Sequence, residues 1–172
     1  MKSTMQCPPL LISQMLRYGT QVHAKQRIYT WTGTEARSTT FAEVGQKAAQ
    51  LAHALRGLGV IGDQRVATFM WNNAEHAIAY LAVPSMGAVL HALNIRLFPP
   101  QVIYTATHAN DKVVIVDNSL ATPFAGLLPH MTTIENVIVN GPIDDATRAA
   151  LAAAPQVKGV YDFDEFIAGQ PT

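Results

Sequence analysis

Residues 65–117 read RVATFMWNNAEHAIAYLAVPSMGAVLHALNIRLFPPQVIYTATHANDKVVIVD. Arg65–Trp71 is a short apolar run of strand length, and Glu75–Gly87 is apolar almost all round, the pattern of a helix covered on most sides. Pro84 is expected to kink or shorten that helix. Ala88–Leu93 predicts a second strand. Pro99 and Pro100 open a helix that runs to about Ala109, because proline is tolerated where the first-turn N–H groups have no partner. Lys112–Asp117 is a run of β-branched residues and predicts a third strand. Strand and helix alternating in this way imply an α/β fold, a mostly parallel sheet with helices on both faces. Sheets of this kind take ligands at the carboxyl ends of their strands.

Downstream the alternation continues. Pro123–Leu128 predicts a short helix and Asn136–Asn140 a strand. Asp144 or Asp145 caps a helix through Ala154, Val157–Tyr161 predicts a last strand, and Asp164 caps a closing helical turn. Upstream, Thr40 and Glu43 form a capping box that starts a long helix. Its apolar face is Phe41, Val44, Ala48, Leu51, Ala52, Leu55 and Leu58, and Gly59 stands where a helix end calls for a left-handed residue. Ile28–Thr32 and Arg37–Thr40 flank Gly33 and predict an N-terminal β-hairpin. Leu10, Leu11, Met15 and Leu16 predict an amphipathic helix over Pro9–Tyr18.

The 172 residues suit one domain. Hydrophobic residues make up 49% and charged residues only 14%, against about 25% charged in a typical free-standing domain. Part of the surface is therefore expected to be covered by more protein. Twelve basic residues balance twelve acidic ones, which gives no electrostatic case for nucleic acid or an anionic membrane. Cys7 stands alone, which excludes an internal disulfide and fits a reducing compartment. Met1–Leu11 carries Lys2 but no long apolar stretch ending in a small-residue cleavage site. Ala77–Leu97 is interrupted by Pro84, Ser85, His91, Asn94 and Arg96, too often for a membrane span. A soluble cytoplasmic protein is expected.

Gly57–Gly62 matches the dinucleotide-binding pattern GxGxxG literally. The mechanism requires that loop to follow a strand and open a helix, whereas here a helix precedes and a strand follows, so helix termination is the reading. The six histidines (His23, His53, His76, His91, His108, His130) are scattered, and neither an HExxH nor a CxxC pair is present, so metal ligation has no workable spacing. No GxSxG elbow is present. Asp162, Asp164 and Glu165 suit a helix start better than catalysis. Trp71, Asn72 and Asn73 lie just past one predicted strand, and Asn94, Ile95 and Arg96 just past the next. They either wall a pocket or satisfy loop backbone, with Arg96 paired to a carboxylate. His91, in an apolar strand, is a further pocket candidate or a hydrogen-bonded core histidine.

Several segments in order resemble the adenylate-forming superfamily, most closely its medium- and long-chain fatty-acyl-CoA synthetases. They are Pro9–Ser13, Thr40–Val44, Leu55–Val60, Arg65–Thr68 with Trp71-Asn72, Met86–His91, Asn94–Leu97, and His108–Lys112 with Asp117. The likeness is tight over residues 9–120 and looser to Phe166. Departures are Gln64 inserted before Arg65, Ile95 where proline is common, and Pro100 and Asn110 where glutamate is common. The Ile95 exchange weakens the pocket role of its loop.

The resemblance implies a two-step reaction in which ATP and a fatty acid give acyl-adenylate and pyrophosphate, and CoA then displaces AMP, with Mg²⁺ and cations absorbing phosphate charge. The family's Ser/Thr/Gly-rich phosphate loop with its lysine, its Thr-Gly-Asp stretch and its C-terminal-domain lysine are not found in these residues. Residues 1–172 are therefore expected to be the N-terminal, incomplete portion of the large domain. By itself this fragment is expected to bind no cofactor and to lack catalytic residues, with Trp71, Asn72, His91, Asn94 and Arg96 as its pocket candidates. The parent would use ATP, Mg²⁺ and CoA with a fatty acid. A free-standing interaction module that homodimerises through an uncovered apolar face or binds a partner there is the alternative; a dinucleotide-dependent enzyme rests only on the misplaced glycine pattern.

Overall fold

The computed structural model describes residues 9–172. Lys2, Cys7 and the readings placed on residues 1–8 lie outside them. The chain runs α1 (Ile12–Val22), β1 (Arg27–Trp31), β2 (Ala36–Thr40), α2 (Phe41–Gly57), β3 (Arg65–Phe69), α3 (Ala74–Ser85), β4 (Val89–Ala92), α4 (Pro99–Ala109), β5 (Asp111–Asp117), α5 (Asn118–Leu127), β6 (Asn136–Asn140), α6 (Asp145–Ala152), β7 (Gly159–Asp162) and α7 (Phe163–Ile167). Strands β3–β7 form one parallel sheet in the order β4-β3-β5-β6-β7, and β1 and β2 form a separate antiparallel hairpin.

Period-two alternation in the central strands divides the core into two layers. Val66, Val113, Ile115 and Ile138 point to one side, where α2, α3 and α7 bring Leu51, Leu55, Ile78 and Phe163. Ala67, Val114, Val116, Val137 and Val139 point to the other, against Val102 of α4, Phe124 of α5 and Leu151 of α6. The two-layered sheet is the expected α/β architecture.

The Thr40–Glu43 capping box forms as read, and Gly59 and Gly33 take positive φ. Pro84 falls in the last turn of α3, which ends at the next residue. Strand β7 starts at Gly159 instead of Val157 and α6 ends at Ala152 instead of Ala154, and three elements differ more. Helix α1 starts at Ile12 and continues to Val22 instead of covering Pro9–Tyr18. Its second half is held by close packing on α2, since a Cβ on Gly45 would overlap the Thr20 side chain. Helix α5 begins five residues before Pro123 and a 3₁₀ turn over Leu128–His130 follows it. Asp162, not Asp164, caps α7, accepting from the N–H groups of Asp164 and Glu165. The last strand ends on Asp162, which leaves that carboxylate nearest the free donors.

Candidate functional site

Strand β3 connects outward to β4, and the chain then returns past β3 to β5 and continues through β6 and β7 on the other side. The direction of progression reverses between β3 and β5, and outside the carboxyl ends of such a pair lies the crevice where open parallel sheets bind ligands. At that place the buried apolar strands end on polar residues: β5 on Asp117 and β6 on Asn140, with the Trp71–Asn73 loop after β3.

Asp117 gathers these ends. One carboxylate oxygen accepts the Trp71 N–H at 2.6 Å. The Asn73 amide nitrogen donates to both oxygens at 3.0 and 3.1 Å, and the Asn140 amide nitrogen donates to Oδ1 at 2.7 Å. Asp117 is 3% exposed, so its charge is answered by neutral N–H dipoles, which bind a carboxylate more tightly than they bind a neutral acceptor. The other amide atom of Asn73, Oδ1, accepts the His76 N–H at 2.8 Å and caps α3. The indole N–H of Trp71 donates to Ser119 Oγ at 3.2 Å.

Behind the loop, His76 bridges Trp71 and β3. Its Nδ1 lies 3.0 Å from the Trp71 carbonyl and its Nε2 2.9 Å from Thr68 Oγ1. A carbonyl only accepts, so Nδ1 carries the hydrogen, and the neutral ring accepts the Thr68 hydroxyl at Nε2. Burial pushes the pKa of His76 below its ordinary 6.5, against the upward pull of the Trp71 carbonyl and of Asp117. The ring is neutral at pH 7.

The hairpin closes the crevice from the side. Thr30 Oγ1 accepts the Ala74 N–H at 3.0 Å, and Arg37 pairs with the buried Glu75 at 2.6 Å. The result is a cavity of about 390 Å³ whose walls include Trp31, Arg37, Trp71, Asn72, Asp117 and Asn140.

The five sequence candidates are divided by the fold. Trp71 and Asn72 line this crevice. His91 is held on β4 by Asp111, the first residue of β5, with Nδ1 donating to the carboxylate at 2.8 and 3.0 Å. Asn94 accepts the Arg96 N–H at 3.0 Å in a turn after β4, and the Arg96 side chain is exposed, with no carboxylate partner among the described residues. Sequence reasoning placed Asn73 beside Trp71 and Asn72 at the strand edge but singled out neither Asp117 nor Asn140 as a site residue. The available signal was two buried strands, each ending on Asp or Asn at the edge where ligands bind.

Among the described residues no group of three His, Cys, Asp or Glu side chains is placed to hold a metal ion. Both oxygens of Asp117 already face N–H donors, so the crevice does not fit a divalent cation. No helix among the described residues is long and apolar enough to cross a membrane.

The family description "AMP-binding enzyme" matches residues 17–170. The chain belongs to that family. It is 35% identical over 170 residues to a 3-methylmercaptopropionyl-CoA ligase of Ruegeria pomeroyi, covering 98% of this chain and 30% of that protein. It is 43% identical over 105 residues to a long-chain-fatty-acid–CoA ligase of Thermus thermophilus, covering 61% and 19%. With a medium-chain-fatty-acid–CoA ligase of Ectopseudomonas oleovorans it shares 32% over 162 residues, covering 92% and 30%. The fold is that of an anthranilate CoA ligase crystallised with anthranoyl-AMP, with a TM-score of 0.78 at 23% identity over 95% of this chain and 29% of the other. The chain thus spans under a third of the length of these relatives.

Proposed function

We propose that these residues are the amino-terminal portion of the large domain of an ATP-dependent fatty-acid–CoA ligase acting in the cytoplasm. The carrying observation is the family match over residues 17–170, with fatty-acid–CoA ligases among the relatives at 43% and 32% identity. In the reaction proposed for the whole protein, the fatty-acid carboxylate attacks the α-phosphorus of ATP and releases pyrophosphate. The CoA thiol then attacks the acyl carbon, and AMP leaves. Adenylation turns the carboxylate oxygen into a good leaving group, and cationic groups must absorb the phosphate charge. Among the described residues the cation lining the crevice is Arg37, and it is paired with Glu75. The contribution of this chain is the sheet, its switch-point crevice and the covering helices, and residues 1–172 by themselves do not adenylate.

The test is ATP–pyrophosphate exchange with octanoate, palmitate, 3-methylmercaptopropionate and benzoate, run on the protein as its own cells produce it and on residues 1–172. The native protein is expected to exchange best with a medium- or long-chain fatty acid, and residues 1–172 to be silent. A preference for 3-methylmercaptopropionate or benzoate would overturn the fatty-acid assignment. Exchange by residues 1–172 would overturn their supporting role.

A further inference from the structure

Of the seven asparagines in the chain only Asn140 is followed by glycine. In that dipeptide a backbone nitrogen reaches the preceding side-chain amide most easily, because glycine puts no Cβ beside the attacking atom. Both residues are fixed by the crevice. Asn140, opposite Asp117 in the β5–β6 register, donates its amide N–H to the Asp117 carboxylate at 2.7 Å. Gly141 takes φ +91°, and a Cβ there would stand 3.1 Å from the Asn118 amide nitrogen, so any other residue would be strained and crowded. The Asn118 amide in turn donates to the Pro142 carbonyl at 3.1 Å. A chemically labile pair is thus built into the wall of the crevice, together with the Trp71–Asn73 loop that forms its lip.

The chemistry needs only a base and water. The Gly141 backbone nitrogen gives up its proton and attacks Cγ of Asn140. A C–N bond forms, the side-chain nitrogen leaves as ammonia, and a cyclic imide remains. Water then opens the imide on one side of its nitrogen or the other. The product is an aspartate at position 140 or an isoaspartyl link that carries the main chain through Cγ, and nothing is oxidised or reduced.

The fold opposes the first step. Asn140 is the last residue of β6, held in the ladder with β5, and its side chain reaches across to Asp117. Bringing Cγ onto the next nitrogen requires χ1 and ψ to rotate, which breaks that bond. Gly141 lies beyond the ladder, so the restraint is the Asn140 side-chain bond and not the pairing of the following residue. Conversion replaces an N–H donor to the buried Asp117 with a second carboxylate facing the first, and like charges so placed disfavour each other.

We propose that Asn140 is a deamidation site gated by Asp117. The closed crevice keeps it an amide; each opening of the strand ends exposes it to conversion, after which the crevice no longer closes as before. This rests on the crevice alone and is independent of the ligase reading.

The experiment holds the purified protein at mildly alkaline pH, in buffer and in urea. Peptide mass spectrometry follows each asparagine, and hydroxylamine cleavage between Asn140 and Gly141 counts the imide. In urea Asn140 is expected to convert before the other six asparagines. In buffer it is expected to convert at least about tenfold more slowly, because reaction waits on local opening. Asp117→Ala, which removes the acceptor, is expected to bring the rate in buffer to within about threefold of the rate in urea. Asp117→Asn keeps an acceptor without the charge, is expected to lie between, and covers the case in which Asp117→Ala does not fold. Asn140→Asp, one of the two products, is expected to melt below wild type at neutral pH. The proposal is overturned if Asn140 converts as fast in buffer as in urea, if a folded Asp117 variant leaves the rate unchanged, or if Asn140→Asp melts no lower than wild type.

Discussion

Asp111 and Asp117 stand at the two ends of β5, both at most 3% exposed, and the sheet compensates them differently. Asp117, at the carboxyl end, is held by three N–H donors from groups that do not titrate near neutral pH. Asp111, at the amino end, faces His91, with Arg65 acting at longer range. Burial pushes the pKa of Asp111 above its ordinary 3.8, and His91 pulls it back only in part. The contrast shows two ways of holding a buried carboxylate on one strand, by neutral N–H donors from the neighbouring strand ends and by an imidazole. The end that forms the crevice is the one built in the first way.

The largest effect that can break this contrast is Asp117→Ala. It leaves the Trp71 N–H and the Asn73 and Asn140 amides without their acceptor, and stability is expected to fall by about 3 kcal/mol. Chemical denaturation followed by far-UV circular dichroism measures it. A loss under about 1 kcal/mol would mean that water replaces the carboxylate and that Asp117 does not organise the three ends.

Asp111→Asn sharpens the other side. Because ionised Asp111 is disfavoured by burial, a neutral isostere is expected to cost only about 1 kcal/mol at pH 7. A carboxyl group whose folded-state pKa is raised binds its proton in the folded chain before the unfolded one does. Its stabilising contribution is therefore fully present below 3.8 and is lost as pH rises through the higher folded value. Wild type is accordingly expected to gain on Asp111→Asn as pH falls through that window. Removing the partner that lowers Asp111, with His91→Gln, moves the onset to higher pH. Melting temperatures across pH 3.5–7 would settle it, and a gap that does not change with pH would contradict the account.

Much of this was legible before the structure. Short apolar and β-branched runs that end abruptly fix β3, β5 and β6, and the capping box fixes the start of α2. The order β4-β3-β5-β6-β7 was not legible, because nothing in a strand's own residues states which neighbour it takes. The crevice depends on that order. Asp117 and Asn140 become partners only once β5 and β6 pair in register, Asp117 opposite Asn140. Trp71 and Asn72 could be placed at a strand's ligand-binding edge from sequence alone, since that edge needs only the strand's direction. His91 could not be assigned: its partner Asp111 lies on the far side of β3 in the sheet, a contact that periodicity does not encode. The reach of α1 to Val22 was likewise hidden in the fit of Thr20 against Gly45.

Ser119→Ala gives the smallest expected effect and tests which contact holds the lip. The Trp71 indole N–H donates to Ser119 Oγ at 3.2 Å, but Ser119 is exposed and Trp71 is half-exposed, so water can take over that bond. The part-buried backbone N–H of the same tryptophan, 2.6 Å from the buried Asp117, is the harder bond to replace. Stability is therefore expected to stay within about 0.5 kcal/mol of wild type, while tryptophan emission shifts because one indole loses its acceptor. If Ser119→Ala were as costly as Asp117→Ala, the lip would be held by the ring at the surface and not by the carboxylate beneath it. The crevice would then be a loop clamp that stands apart from the strand ends.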